Sequence, residues 1–215
     1  MRQILVYGDS LSWGIVPGTR RRFDFATRWP GVLETGLVGR GLEVRVIEDC
    51  LNGRRTVWDD PFKPGRRGID GLGQRIEVNS PLELVILVLG TNDFQSMHPH
   101  SAWHSAQGVA ALVQAIRSAP IEPGMPVPPV LVVAPPPFDD PRGPVGPKFA
   151  GGEAKSLGLA AALREVAFTL GCAYFDAGTV TPASTVDGVH LDAEQHRRLG
   201  EALVTVVADL IGPGA

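Results

Sequence analysis

The chain predicts an α/β fold of three layers, α/β/α, built on a five-stranded parallel sheet with helices on both faces. Three observations predict it. Short apolar runs alternate with helical patterns along the whole length. The clearest run, residues 83–89 (Glu83-Leu84-Val85-Ile86-Leu87-Val88-Leu89), is apolar at successive positions, so both of its faces are buried, as in a central parallel strand. Parallel strands joined by helices need right-handed crossovers, and the expected strand order is 2-1-3-4-5. No repeat or linker divides the 215 residues, and 44% hydrophobic content suits a full core, so residues 1–215 read as a single domain.

The elements follow in order. Ile4-Leu5-Val6 is aliphatic enough for a buried first strand, which Gly8 ends. Residues 16–24 carry Pro, Gly and charges without periodicity and read as loop. A helix over residues 27–38 has Trp29, Val32, Leu33 and Leu37 on one face, Pro30 in its first turn, and Gly39 and Gly41 at its end. Residues 43–47 alternate as a second strand. Residues 57–73 read as a long loop with at most a short helix on Ile69, Leu72 and Ile76; that length suggests a functional insertion or an oligomer contact. A helix over residues 102–118 faces inward through Val109, Leu112, Val113 and Ile116. Residues 130–134 form a fourth strand, and the stiff run Pro135-Pro136-Pro137-Phe138 after it can shape a pocket wall. Residues 153–171 read as one long helix with Leu157, Ala160, Ala161, Leu163, Ala167 and Phe168 inward. Residues 172–175 are a short fifth strand. A last amphipathic helix, residues 192–211, buries Leu199, Leu203, Val206, Val207 and Leu210.

Chemistry is concentrated at the two ends of the chain. In Gly8-Asp9-Ser10-Leu11 a serine sits at a strand-to-helix turn, where its hydroxyl is free to react and the N–H groups of the next turn can face an anion. In Asp187-Gly188-Val189-His190 an acid and an imidazole stand three apart around a glycine, so the carboxylate can hold the ring. A nucleophilic serine needs such a base, and the base needs such an acid. Each piece alone has a plainer reading: a helix cap for Ser10 or Asp187, and a surface histidine for His190. Between them, Asn52-Gly53-Arg54 follows the second strand, and Gly90-Thr91-Asn92-Asp93 follows the third. In an open α/β sheet, ligands gather at these carboxyl ends. An asparagine placed there can donate its amide to a developing oxyanion.

These four blocks, in order and over nearly the whole chain, resemble the SGNH (GDSL-type) serine hydrolases. Further features resemble the family's arylesterase/acyltransferase branch: Gly8-Asp9-Ser10-Leu11 running on to Trp13-Gly14, Leu89-Gly90-Thr91-Asn92-Asp93, Pro135-Pro136-Pro137, Gly151-Gly152-Glu153 and Phe175-Asp176-Ala177-Gly178. The resemblance implies the SGNH hydrolase fold, with its flavodoxin-like strand order. It also implies Ser10 as nucleophile, His190 as base, Asp187 as the orienting acid, and an oxyanion hole of the Ser10 and Gly53 N–H groups with the Asn92 side chain. Asp9 is expected to hold the turn. Leu11, Trp13, Phe94 and Val189 flank these positions and would make the mouth apolar, with Phe138 and Phe149 as further candidate lining. Arg54 is a candidate substrate contact, with solvated loop as its alternative. The implied activity is hydrolysis of short-chain aryl or alkyl esters through an acyl-enzyme, with acyl transfer to alcohols. Sugar O-acetyl esters, lysophospholipids and acyl thioesters are alternative substrates.

Other classes find less support. Net charge is −3, and no basic field attracts nucleic acid; Arg20-Arg21-Arg22 reads as solvated loop. No apolar run is long enough to span a membrane, and no signal peptide is apparent, so the expected location is cytoplasmic. Cys50 and Cys172 fit neither a disulfide framework nor a zinc site and read as buried thiols near strand ends. His98, His100 and His104 lack metal-ligand spacing and a paired carboxylate, so no metal or other cofactor is expected. G-x-S-x-G, G-x-G-x-x-G and G-K-[ST] are all absent. A flavodoxin-like binding module would explain the fold and the Ser/Gly turns, but not Asn92 together with Asp187 and His190. The expected partners are a small-molecule ester, water or an acceptor alcohol, and further copies of the chain in a homo-oligomer.

Overall fold

The computed structural model of the chain describes residues 1–212. Five parallel strands form one sheet in the order β2-β1-β3-β4-β5: β1 Arg2–Gly8, β2 Val44–Cys50, β3 Leu84–Val88, β4 Val130–Ala134 and β5 Ala173–Asp176. This is the order expected from the sequence. Strand periodicity divides the core in two. Ile4, Val6, Leu84, Ile86, Leu131 and Val133 point to one face. Leu5, Tyr7, Val85, Leu87, Val130 and Val132 point to the other. Both sets are buried, which is why β3 and β4 are apolar at every position.

Helices α2 (Trp29–Gly39) and α7 (Ala193–Ile211) cover the first face. α3 (Leu72–Asn79), α4 (Ala102–Arg117) and α6 (Leu159–Thr169) cover the second. α4 buries Val109, Leu112, Val113 and Ile116, as its 3.6-residue pattern requires. The edge strand β2 runs three residues beyond the alternating stretch, through Glu48, Asp49 and Cys50, because its exposed side tolerates charge. Both cysteines are free and half-buried; Cys50 closes β2 and Cys172 immediately precedes β5.

Three expectations need correction. The segment after β4 holds two helices instead of one: α5 (Gly152–Ser156) and α6, separated at Leu157-Gly158. The break resets the helical phase. Leu159, Leu163, Val166 and Ala167 form the buried stripe, while Leu157, Ala161 and Phe168 face solvent, Phe168 with 87% exposure. Residues 157, 161 and 168 lie on a competing stripe of similar period, so spacing alone did not choose between faces. Third, Leu210 on α7 is also exposed.

α2 and α7 pack closely at Gly200. A Cβ there would lie 2.6 Å from Val32 Cβ and 2.8 Å from the Trp29 carbonyl oxygen. Gly200→Ala is expected to lower stability by about 1–3 kcal/mol despite alanine's better helix propensity, read as a lower urea midpoint at unchanged slope.

Candidate active site

Ser10 owes its position to the end of β1. Gly8 closes the strand, Asp9 turns the chain, and Ser10 opens the short helix α1 (Ser10–Trp13). As the first helical residue, Ser10 has an N–H with no acceptor inside the helix. Asp9 caps α1 by accepting from the Leu11 N–H at 2.9 Å. Its other oxygen accepts from Asn92 Nδ2, also at 2.9 Å. Asp9 is a structural pin for the turn and has no hydrogen bond to His190.

The loop bearing Asp187 and His190 is closed on itself. Ser184 N–H donates to the His190 carbonyl at 2.7 Å, and Gly188 N–H donates to the Ser184 carbonyl at 2.8 Å. Gly188 has φ +73°, and a Cβ on it would collide with the Asp139 carbonyl, so no other residue fits without a shift. The Asp187 carboxylate accepts four hydrogen bonds. Oδ1 takes the N–H groups of Val189 (3.0 Å) and His190 (2.9 Å). Oδ2 takes the Gly18 N–H (3.0 Å) and His190 Nδ1 (2.8 Å). Burial pushes Asp187 up, but the bond and charge of His190, with the N–H donors of His190 and Gly18, outweigh it and hold the carboxyl well below the usual range. With Nδ1–H directed at Asp187, Nε2 is left to accept from the Ser10 hydroxyl, and Ser10 Oγ lies 3.2 Å away.

Two further groups face the same space. Gly53, in the loop after β2, has an N–H without a hydrogen-bond partner among the described residues. Asn92 lies in the 3-10 turn Thr91–Phe94 after β3. Gln95 Nε2 donates to Asn92 Oδ1 at 2.9 Å while Asn92 donates one amide hydrogen to Asp9, so the amide is oriented from both ends and keeps one N–H. Ser10, Gly53, Asn92, Asp187 and His190 together line a cavity of about 230 Å³. Beneath it, the buried Asp93 accepts from the Thr56 N–H (3.0 Å), Thr56 Oγ1 (2.7 Å) and Ser105 Oγ (2.7 Å). It thereby ties the loops after β2 and β3 to α4. Such an arrangement can activate a hydroxyl and hold an oxyanion.

The remaining sequence candidates fall in different places. Phe149 lines the cavity. Phe138 packs against Phe149 with ring centroids 5.3 Å apart, and Phe94 against Phe138 at 6.3 Å; both back the wall and line a neighbouring cavity of about 450 Å³ under the proline run. Leu11 and Val189 are buried off the cavity, Leu11 in the core between sheet and α2. Trp13 lies beneath the Arg22 guanidinium, 4.7 Å from its ring centroid, and is not part of the cavity wall. Arg54 is no substrate contact in this arrangement. It is buried over the Tyr7 ring and donates to the carbonyls of Gly8 (3.0 Å) and Asp49 (2.5 Å) and to the Asp49 carboxylate (2.7 Å), clasping the ends of β1 and β2. In its place the walls include Ile15, Thr19, Lys63, Val145 and Lys148. All lie in aperiodic segments that offer no pattern to read.

His100 stacks on Trp58 and on His98, with the His98 and His100 rings 4.9 Å apart and nearly parallel, while His104 lies tilted to His100 and edge-on to Trp58. Burial and the neighbouring imidazoles push His100 down to about 4. No group of three or more His, Cys, Asp or Glu side chains suited to a metal ion occurs among the described residues. No helix among them is long and apolar enough to cross a membrane.

Asp9 makes the site's charge measurable. Burial, only partly offset by the Leu11 N–H, the His190 charge and the Asn92 amide, pushes its carboxyl up to about 6. Between about pH 4 and 6 the folded chain therefore keeps a proton that the unfolded chain releases. Asp9's contribution to stability is full below that window and is lost as pH rises through it. Asp9→Asn is expected to improve relative to the native chain by about 2–3 kcal/mol between pH values of about 4 and 7, compared by urea unfolding at each end.

Residues 6–198 match the profile of the GDSL-like Lipase/Acylhydrolase family. No curated protein sequence matches the chain. Among solved structures, the inhibitor-bound aryl esterase of M. smegmatis is 36% identical with a TM-score of 0.92, covering 98% of this chain and 100% of its own. Est24, a carbohydrate acetylesterase from Sinorhizobium meliloti, is 35% identical with a TM-score of 0.91 and the same coverage. The chain belongs to the GDSL-like lipase/acylhydrolase family, as an SGNH hydrolase of the arylesterase branch that acts on carboxylic esters.

Proposed function

We propose that Ser10 is the nucleophile of an esterase that cleaves short-chain acyl esters of aryl and alkyl alcohols through an acyl-enzyme. One observation carries this reading: the continuous hydrogen-bonded series Asp187–His190–Ser10, ending in a small cavity beside uncommitted N–H groups. As Ser10 Oγ attacks the ester carbonyl, its proton passes to His190 Nε2, and Asp187 stabilises the imidazolium. The carbonyl oxygen becomes an oxyanion, received by the N–H groups of Ser10 and Gly53 and the free amide hydrogen of Asn92. Collapse breaks the bond to the alcohol oxygen, which takes the proton from His190. Water then attacks the acyl-enzyme as His190 takes its proton; the bond from the acyl carbon to Ser10 Oγ breaks, His190 returns the proton to Oγ, and the acid leaves.

The cavity of about 230 Å³ favours short acyl groups. Ile15, Val145 and Phe149 form the apolar part of its wall, where an alcohol can lodge and compete with water, which makes acyl transfer the companion activity. The likeness to Est24 favours acetylated sugars as a second substrate class.

Ser10→Ala is expected to lower kcat on 4-nitrophenyl acetate by about 10⁴-fold or more. Asn92→Ala is expected to lower kcat by about 10²–10³-fold with little change in KM, because its amide serves the transition state. Steady-state kinetics on folded variants measure both, and full activity in Ser10→Ala would end the reading. Added methanol should divert acyl groups to methyl ester, detected by product analysis; release of free acid alone would exclude the transferase part.

A further inference from the structure

The cavity at Ser10 has the opposite charge to the chain around it. The protein carries 23 acidic and 20 basic residues, a net −3. Yet Arg20, Lys63 and Lys148 all line this cavity, and Asp187 is the one carboxylate among its lining residues. Both Asp187 oxygens are already engaged by the four donors described above. The three cations come from separate segments: the loop after α1, the loop between β2 and α3, and the turn Pro147–Phe149.

Several exposed arginines elsewhere are paired. Exposed Arg197 bonds Glu194 and Glu201, Arg198 bonds Glu194, and Arg142 lies 3.3 Å from Asp140. Among the described residues, Arg20, Lys63 and Lys148 have no carboxylate within 4.0 Å. The one carboxylate that bears on Lys63 and Lys148 is Asp60, and it is shared. It lies 3.5 Å from the fully buried Arg55 and accepts from the Phe62 N–H at 3.0 Å. Lys148 is half-buried; burial pushes its ammonium down, Asp60 partly offsets this, and Lys63, Arg55 and Arg20 push it further. Three like charges are thus held close enough to repel, around a space that opens on the reactive hydroxyl. A fixed anion in that space would relieve the repulsion, and low-dielectric walls would strengthen its attraction.

We infer that the ester taken by this site bears a carboxylate on its acyl or its alcohol half, held by Arg20, Lys63 and Lys148 while the scissile carbonyl lies at Ser10. The inference rests on the esterase reading of the same site and names its substrate class. The chain's net negative charge would by itself disfavour such a substrate, so the sign of the preference is informative.

The experiment compares two pairs of esters on the full chain. Mono-4-nitrophenyl fumarate, whose trans carboxylate cannot reach its own ester, against its methyl ester tests a carboxylate on the acyl half. 4-Acetoxybenzoate against methyl 4-acetoxybenzoate tests one on the alcohol half. Each kcat/KM is divided by that ester's own uncatalysed rate. In at least one pair the anion is expected to win by about tenfold at low ionic strength, with the ratio falling toward one in about 0.5 M salt. Lys148→Met and Lys63→Met should each reduce the ratio, and Lys148→Arg should retain it. A ratio of one or less in both pairs overturns the inference, as does a preference that survives the Lys63→Met/Lys148→Met double variant. If neutral 4-nitrophenyl acetate is still turned over in a Ser10-dependent way, those results leave the esterase reading standing. Failure of every ester to show Ser10-dependent turnover overturns the esterase reading itself.

Discussion

Every strand in this sheet runs the same way, and that single constraint brings the chemistry together. Parallel strands put all their carboxyl ends on one edge, and the register keeps three of those ends level: Gly8 pairs with Cys50 on one side and with Val88 on the other. Ser10, Gly53 and Asn92 each lie within a few residues of those strand ends. They converge because the backbone leaves the sheet three times at one height, although the sequence separates them by dozens of positions. The condition for such a sheet is cover on both faces, which two helices on one side and three on the other provide.

Convergence of this kind crowds polar groups into a dry edge. Asp9 and Asp93 are both almost fully buried, and burial pushes both carboxyls up to about 6. The fold keeps them because each is surrounded by donors: Leu11 and Asn92 for Asp9, Thr56 and Ser105 for Asp93. Breaking one such set would strand several donors at once, a larger loss than a single net hydrogen bond is worth. Arg54 and Arg55 complete the frame from the other side, one clasping strand ends over Tyr7, the other bonded to Gln95 at 2.5 Å. Rigidity at the reactive edge is therefore electrostatic in origin, while the body of the sheet is held by aliphatic packing.

What could be read from the residues follows this division. Strand positions and order were legible because period-two burial writes itself as runs of Val, Leu and Ile. The short blocks around Ser10, Asn92 and His190 are legible only together, because each alone has an ordinary turn or cap reading. The α5–α6 break is not, since Leu157 and Phe168 mimic an inward stripe. The cavity wall was legible only in part. Phe149 was readable as an aromatic near the proline run, but Phe94, Phe138 and Leu11 looked equally eligible and lie behind the surface. Lys63, Lys148 and Val145 sit in loops whose path depends on contacts far away in sequence. Arg54 misled for a physical reason: a guanidinium beside a site can serve the ligand or the scaffold, and only its partners decide.

One hydrogen bond extends the site beyond its own chemistry. Gly18 N–H reaches the same Asp187 oxygen that holds the imidazole. The segment that follows α1 carries no reacting group, yet it is anchored to the acid from the opposite terminus. A cut or an insertion in that segment would loosen the carboxylate's aim while leaving every reactive side chain in the polypeptide. The loop is thus a strut that reaches from one end of the polypeptide to a carboxylate near the other.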